Sequence, residues 1–245
     1  MAETRVRAQG VRPGPQVASG ARATEGRGGG AMVLERGERA EQREQTALRI
    51  VEAAGIVIDR DGYAGASIPE ILRTAAVSRG GFYHHFDSKK SVGDAVLARQ
   101  HEFFERVAQQ GAAGPVPVYW SQVLIDVSYE YTAGILDDPV LRAAVRLSIE
   151  PGPYLTRESY RSPLGAVTSI LTAARDAGEL QDHVVPEEAA RTLVGCYSGV
   201  QLLALALEER DQLYGQVAAM WRLLMPGLAR PTVLDRLRLE RPPQT

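Results

Sequence analysis

Apolar residues recur at three- and four-residue intervals along most of the chain, and this spacing predicts α-helices almost throughout. The first helix is predicted from Arg43 to about Arg60. One stripe of that helix is formed by Leu48, Val51, Gly55 and Ile58. Gly62 is expected to end it in a left-handed conformation. Because no run alternates between apolar and polar residues, the sequence predicts an all-α fold.

The stretch Ser67–Lys90 is typical of a helix, a tight turn, a short second helix and the start of a further helix. Ser67 is a favourable N-cap, and Glu70 follows at the spacing of a capping box. Ser78 can cap the second helix, which is predicted over 79–85. That helix carries two glycines and few large apolar residues. Its outer face is therefore suited to close approach by something other than the protein core.

A long fourth helix is predicted from about Ser88 to Gln110, followed by a break at 111–117. Proline and glycine then separate further helical segments. Asp138, Ser162 and Asp211 are expected to act as N-caps. The remaining helices are predicted at 120–136, 139–149, 163–178, 186–209 and 211–225.

The last two predicted helices are apolar around more than one face, especially over 189–207 and 213–224. Such helices need burial on two sides, one of which is their own domain. The need to bury the other side predicts a homodimer with a four-helix interface. The alternative is a single large core within a monomer.

The 245 residues carry a net charge of −2, so nucleic-acid binding would need a local basic patch. One cysteine, Cys196, excludes an internal disulfide and fits a reducing cytoplasm. No apolar run reaches the ~20 residues of a membrane span, so no membrane contact is expected.

Four segments are predicted. Residues 1–42, rich in Gly, Ala, Arg and Glu, are expected to form a disordered extension, alternatively a basic arm that contacts DNA. A helix-turn-helix domain covers 43–88. A second helical domain, which carries the predicted dimer helices, covers 89–230, with helix 89–110 as its connector. A tail covers 231–245.

An enzyme is the competing class of protein. The histidines lack metal-ligand spacing, and the adjacent His84 and His85 would point apart on a helix. The sequence has neither a glycine-rich phosphate loop nor a nucleophile elbow. We therefore expect no catalytic residue, no metal and no cofactor.

Residues 45–100 resemble the DNA-binding domain of the TetR family of transcriptional regulators. The matching residues include Thr46, Gly62-Tyr63, Ser67, Ile71, Val77-Ser78, Gly80, Tyr83, His85-Phe86 and Lys89. Ala76 departs from this pattern because the family usually has glycine there, and a positive φ would strain it.

The resemblance implies that the second helix of the motif enters a major groove of operator DNA. Arg79 is then the candidate for reading a guanine, because a guanidinium can bond O6 and N7 together. Gly80 and Gly81 would allow close backbone approach. Phosphate contacts are expected from Ser67, Tyr83, His84 and Lys89, and the cap residue Ser78 is a further DNA-binding candidate.

The C-terminal half resembles the γ-butyrolactone autoregulator receptors, a branch of the same family, over 95–100, 124–150 and 218–228. This resemblance implies a repressor that binds a palindromic operator as a dimer. A small diffusible signal of the γ-butyrolactone, butenolide or furan type would release it and so control specialised-metabolite genes. The alternative is a multidrug or antibiotic sensor controlling an efflux gene.

The resemblance places Gln100, Tyr197 and Gln201 at the ligand pocket. Helical spacing adds Trp120, Val123 and Tyr129 as candidates. The branch commonly has a tryptophan over the ligand just before the helix at Pro163; Tyr160 is among the nearest aromatic residues here. A ligand against the fourth helix would favour a dimer that no longer matches the groove spacing.

Overall fold

A computed structural model describes residues 27–113 and 118–241 of the chain. The chain divides into two units, residues 1–43 and 44–245, and of the first unit the structure describes the helical residues 27–43. Within the described ranges every regular secondary-structure element is a helix. The only strand-like feature there is an isolated bridge between Leu180 and Ala229. The predicted all-α fold is confirmed.

Ten α-helices occur in the described residues. Two short 3-10 helices, Glu158–Tyr160 and Arg210–Gln212, precede α7 and α9. The α-helices are α1 (Arg27–Gly65), α2 (Ile68–Ala75), α3 (Arg79–Tyr83), α4 (Lys89–Ala113), α5 (Trp120–Asp137), α6 (Pro139–Ile149), α7 (Arg161–Asp176), α8 (Pro186–Ala206), α9 (Leu213–Leu228) and α10 (Pro231–Leu234).

Helix α1 begins at Arg27 instead of the predicted Arg43. Residues 27–42 are therefore helical, and the disorder predicted for them is wrong. Glu, Arg, Gln and Ala, which are strong helix formers, make up nine of these sixteen residues. Residues 1–26, which include most of the predicted extension or basic arm, lie outside the described residues. The helix is interrupted at Gly62, whose φ is 72° and whose ψ is 170°. The positive φ is confirmed, but the predicted left-handed cap is wrong because this ψ lies outside the left-handed helical region.

Two predicted caps are wrong. The hydroxyl of Ser162 lies 2.9 Å from Nδ1 of His101, and α7 has already begun at Arg161. Asp211 lies within the 3-10 helix before α9, where no side chain caps the helix. The predicted cap at Asp138 is confirmed, because its carboxylate accepts a 2.8 Å hydrogen bond from the amide of Val140.

The start of α5 is fixed by a residue that is distant in sequence. The buried carboxylate of Glu179 accepts hydrogen bonds from the amides of Trp120 and Ser121, both at 2.8 Å. It also accepts a 2.7 Å hydrogen bond from the Ser121 hydroxyl. A carboxylate at a helix N-terminus satisfies amides that have no partner within the helix and interacts favourably with the helix dipole.

Residues 44–245 contain two apolar cores. The first, here the reading core, combines α1, α2 and α3 with Val92 and Val96 of α4 and with Ala143 and Leu147 of α6. The second, here the effector core, contains Phe103 of α4 and apolar residues of α5 to α9. Helix α4 therefore contributes to both cores, and the change from one to the other falls inside it. Residues 114–117 of the predicted break lie outside the described residues.

The C-terminal segment packs against the effector core through Leu234, Leu237 and Leu239. Tyr129 donates a 2.7 Å hydrogen bond to the carbonyl of Leu239. The amide of Arg238 donates to the side chain of Gln122, 2.8 Å away. The predicted tail is thus part of the packed structure as far as these residues.

By length and composition alone, α8 could cross a membrane, and it is the one such helix in the described ranges. The prediction that no apolar run is long enough to span a membrane is therefore wrong for α8, by the criterion of length and composition. Core helices of folded proteins meet the same criterion, and Leu193 and Ala204 of α8 are buried in the effector core.

We expect Gly55→Ala to lower the free energy of unfolding by about 1–3 kcal/mol, the usual cost of overpacking. A Cβ at Gly55 would lie 2.8 Å from the backbone Cα of Val140 on α6. Gly165→Ala in α7 is the control, because a Cβ there meets no atom within 4 Å. That control should raise stability by about 0.5–1 kcal/mol through helix propensity. Urea unfolding measures both, and equal stability of the two variants would contradict the close packing of α1 on α6.

Candidate DNA-binding surface and effector cavity

Two serines hold the helix-turn-helix motif in shape. The Ser67 hydroxyl accepts a hydrogen bond from the amide of Glu70 at 3.3 Å, and the Ser78 hydroxyl accepts one from the amide of Gly81 at 3.1 Å. Each hydroxyl keeps its own hydrogen, which can be donated to another acceptor. Between the helices, Ala76 has a φ of 52°, so the positive φ predicted there is confirmed.

Helix α3 presents one exposed polar surface, here the reading surface, formed by Arg79, Gly80, Tyr83 and His84. On its opposite side the fully buried Phe82 anchors the helix in the reading core. The guanidinium of Arg79 lies 5.7 Å from the ring centre of Tyr83 and takes part in no ion pair with the described residues. An added Cβ at Gly80 would meet nothing within 4 Å, so a duplex can approach closely there.

Helix α3 ends at Tyr83, two residues before the predicted end. The rings of His84 and His85 therefore do not point apart, and they make an edge-to-face contact with centres 5.3 Å apart. Within the residues that the structure describes, no cluster of three or more His, Cys, Asp or Glu side chains could hold a metal ion.

Lys89 stands at the first residue of α4, as predicted. Its ammonium lies 4.4 Å from the ring centre of Tyr63, and partial burial lowers the pKa of the Lys89 side chain. The N-terminus of α4 is closed by Ser88 and Ser91, whose hydroxyls each accept a 3.1 Å hydrogen bond from the other's amide. This reciprocal capping was not predicted, although the Ser-x-x-Ser spacing is visible in the sequence.

A mostly apolar cavity of about 70 Å³ lies among α4 to α9 in the effector core. Four of the predicted ligand-binding residues line it, namely Gln100, Tyr160, Tyr197 and Gln201. The structure adds Trp221, whose indole nitrogen donates a 2.7 Å hydrogen bond to the Ser128 hydroxyl. Its place on the apolar helix α9 indicated burial, but the sequence pattern did not show which side of α9 faces the cavity.

Trp120, Val123 and Tyr129 are absent from the cavity wall. Trp120 and Val123 pack against the effector core, and Tyr129 stacks on Tyr214 with ring centres 6.4 Å apart. Helical spacing identified these residues as facing inward. It could not separate the part of the interior that is filled from the part that is open.

Most polar groups of the cavity wall are already paired within the protein. The amide of Gln100 donates to the carbonyl of Ser159 at 3.2 Å, and Tyr160 donates to the carbonyl of Ser148 at 3.0 Å. The hydroxyl of Tyr197 lies 2.6 Å from that of Thr132. Burial raises the pKa of the Tyr197 hydroxyl well above its usual range, so this group is neutral at physiological pH.

An ionic contact joins the reading core to the effector core. Asp59 of α1 accepts hydrogen bonds from Arg142 of α6 and from Arg210, both at 2.8 Å. The Asp59 and Arg142 side chains are only 13% and 19% exposed, so the pair is largely shielded from water. Arg142 also donates to the carbonyls of Ile135 and Leu136, and so holds the last turn of α5.

An exposed recognition helix on one core and an apolar cavity in the other define a DNA-binding regulator with an effector domain. Comparison with known proteins supports this class. Residues 50–96 match the family described as "Bacterial regulatory proteins, tetR family", and residues 121–230 match the "Tetracyclin repressor-like, C-terminal domain". The A-factor receptor protein of Streptomyces griseus is 34% identical over 200 residues, covering 80% of this chain and 68% of the receptor.

Solved structures agree with these matches. TylP, a TetR regulator from Streptomyces fradiae, has a TM-score of 0.68 and 32% identity, with coverage of 80% of this chain and 92% of TylP. CprB from Streptomyces coelicolor, solved in complex with its biological operator sequence, has a TM-score of 0.67 and 26% identity, with coverage of 80% and 94%. The chain therefore belongs to the TetR family, whose members bind operator DNA as dimers and respond to small-molecule ligands.

We expect Arg79→Gln to weaken operator binding and to relax base preference at one position of each half-site. A bidentate arginine–guanine contact is worth about 1–3 kcal/mol of discrimination. Arg175→Gln, which removes a half-exposed arginine at the end of α7, is the control for the lost charge. Fluorescence anisotropy with operator and mutated duplexes measures both variants. Unchanged base preference in Arg79→Gln would rule out direct reading by this residue.

Proposed function

We propose that this TetR-family protein is a repressor that a γ-butyrolactone, butenolide or furan signal releases from a palindromic operator. We further propose that it acts in the cytoplasm and controls specialised-metabolite genes. The observation that carries the proposal is the apolar cavity with Gln100 of α4 in its wall, because α4 also belongs to the reading core. The 200-residue similarity to the A-factor receptor supports a signal of this kind.

On DNA, α3 lies in the major groove and Arg79 contacts a guanine. Gly80 and Gly81 permit the close approach, and Tyr83 and His84 contact phosphates. The hydroxyls of Ser67 and Ser78 and the ammonium of Lys89 are further phosphate donors. The exposure of the reading surface and the absence of an ion pair at Arg79 among the described residues support these roles.

The release mechanism follows from the cavity and from the position of α4. A cavity of about 70 Å³ is much smaller than the roughly 300–1,000 Å³ of typical ligand pockets. A larger ligand must displace its walls, including α4. A state of the dimer with displaced α4 helices would bind the ligand better and the operator worse, and these two effects must be reciprocal.

The dimer forms through α8 and α9. Three leucines on these helices have exposed side chains although their helices are mostly apolar, namely Leu202, Leu203 and Leu223, the last 81% exposed. A second subunit that covers them would remove this apolar surface from water. Two-fold symmetry would then place two α3 helices about one DNA turn apart, ~34–36 Å.

The efflux-regulator alternative has narrower support. The structure of SmeT, the repressor of a multidrug efflux pump, has a TM-score of 0.66 at 22% identity, which supports the fold alone. The similarity to the A-factor receptor extends over both domains, so we favour the lactone-type signal.

We expect Leu203→Glu to convert the dimer to monomers at micromolar concentration, because it places a charge in an apolar contact. Leu155→Glu is the control, since Leu155 is 50% exposed but lies in the segment before α7. Sedimentation velocity distinguishes monomer from dimer. A dimeric Leu203→Glu protein would show that this part of α8 lies outside the interface.

The proposed function is tested by sequencing the genomic DNA that the purified protein retains and then measuring release from that DNA. Alkyl γ-butyrolactones, butenolides and furans are titrated against the complex, with a structurally unrelated antibiotic panel as comparison. We expect one of the three signal classes to lower operator affinity at least tenfold. Release by the antibiotics alone would favour the efflux alternative, and unchanged operator affinity with every compound would refute a ligand-released repressor.

A further inference from the structure

One polar atom in the cavity wall is left without a partner. The side-chain nitrogen Nε2 of Gln201 is buried and makes no hydrogen bond of ordinary geometry, although the Gln201 side chain lies beside the Tyr197 hydroxyl. It is the one such side-chain atom among the described residues. Gln201 as a whole is 7% exposed. Buried amide donors are almost always paired, because leaving one unpaired forfeits the hydrogen bond that it makes to water in the unfolded chain.

Most other polar groups around the cavity are hydrogen-bonded within the protein. The side chain of Gln100 is held by Ser159 and Ser148, and the hydroxyl of Ser128 donates to Ile125 and accepts from Trp221. These groups position one another and have little need of a ligand. The hydroxyl of Ser198 also lines the cavity and is open to a ligand. Among the fully buried polar atoms of the wall, Nε2 of Gln201 alone would gain a new hydrogen bond from a molecule that enters the cavity.

The cavity wall also lacks formal charge. None of its residues is Asp, Glu, Lys, Arg or His. Arg142, Arg146 and Arg210 line a second small cavity that shares Gln201 with the first. Each of these arginines is already paired with a carboxylate, Arg142 and Arg210 with Asp59 and Arg146 with Glu150. An anionic ligand would therefore lose its hydration without meeting a counter-charge, and that loss is costly in an apolar site.

We propose that Gln201 is the residue that selects the effector, by donating a hydrogen bond from Nε2 to a carbonyl oxygen of an uncharged ligand. This inference rests on the proposed function and narrows it. Uncharged lactones and butenolides match the uncharged lining of the cavity, whereas furans that carry a free carboxylate do not. An intact lactone ring offers the acceptor without the charge that its ring-opened hydroxy acid would bring.

The chemical test compares matched probes on the full-length dimer bound to its operator. An alkyl γ-butyrolactone is compared with its own ring-opened hydroxy acid, and a furan carboxylic acid with its methyl ester. The uncharged member of each pair should release DNA at a concentration at least tenfold lower. Equal potency, or greater potency of the carboxylates, would overturn the proposal while leaving a ligand-released repressor in place. Failure of every probe would refute the proposed function, and this inference with it.

The residue test uses Gln201→Met, which keeps the length of the side chain and removes the donor. Dissociation of this variant from the operator should need a lactone concentration about tenfold higher than for the parent protein, which corresponds to 1.4 kcal/mol. Its melting temperature should equal or exceed that of the parent, because an unpaired buried donor has been removed. Gln100→Met is the control, and it should lower the melting temperature because its amide is paired in the protein. A destabilised Gln201→Met with unchanged lactone potency would assign Gln201 a purely structural role.

Discussion

The close packing of α6 against α1 is the constraint on which the rest of the structure depends. Gly55 allows the backbones to approach at Val140, and Asp59 one turn later binds Arg142 of the same helix α6. Because α6 also contributes Leu141 and Val145 to the effector core, it belongs to both parts of the molecule. A shift of α6 cannot be confined to one core, since close-packed interiors transmit displacement.

Helix α8 has the cavity on one side and the proposed dimer surface on another. Leu193, Tyr197 and Gln201 face the cavity, whereas Leu202 and Leu203 are exposed on the surface that we assign to the dimer. Helix α4 has a comparable double position along its length, with Val92 and Val96 in the reading core and Gln100 at the cavity. A ligand in the cavity thus contacts both the helix that sets the spacing of the subunits and the helix that leads to DNA. The cavity is therefore connected to the dimer surface through α8 and to the reading core through α4, without intervening elements.

Local signals were read correctly from the sequence. The caps at Ser67, Ser78 and Asp138 and the positive φ values at Gly62 and Ala76 depend on neighbours within a few residues, and the sequence contains those neighbours. The cavity residues Gln100, Tyr160, Tyr197 and Gln201 came from the resemblance to a receptor branch, which carries information about tertiary structure that helical spacing lacks.

Two of the wrong predictions, at Ser162 and at Trp120, are explained by long-range contacts. Ser162 looks like a cap in sequence, but His101 on α4 engages its hydroxyl. Trp120 and Trp221 are equally apolar, and only the packing of α9 against α5 places Trp221 at the cavity. The early start of α1 has a different origin, because the few large apolar residues of 27–42, Met32 to Leu34, lie side by side and give no periodicity from which a helix could be predicted.

The bond from Glu179 to the first turn of α5 has a consequence for the order in which the chain assembles. The carboxylate that completes this turn follows α7, so it reaches α5 only after more than half of the effector domain has been synthesised. Until then the amides of Trp120 and Ser121 are satisfied only by water, and the turn can fray. During translation, the beginning of α5 therefore matures late, and it does so together with the helices that enclose the cavity.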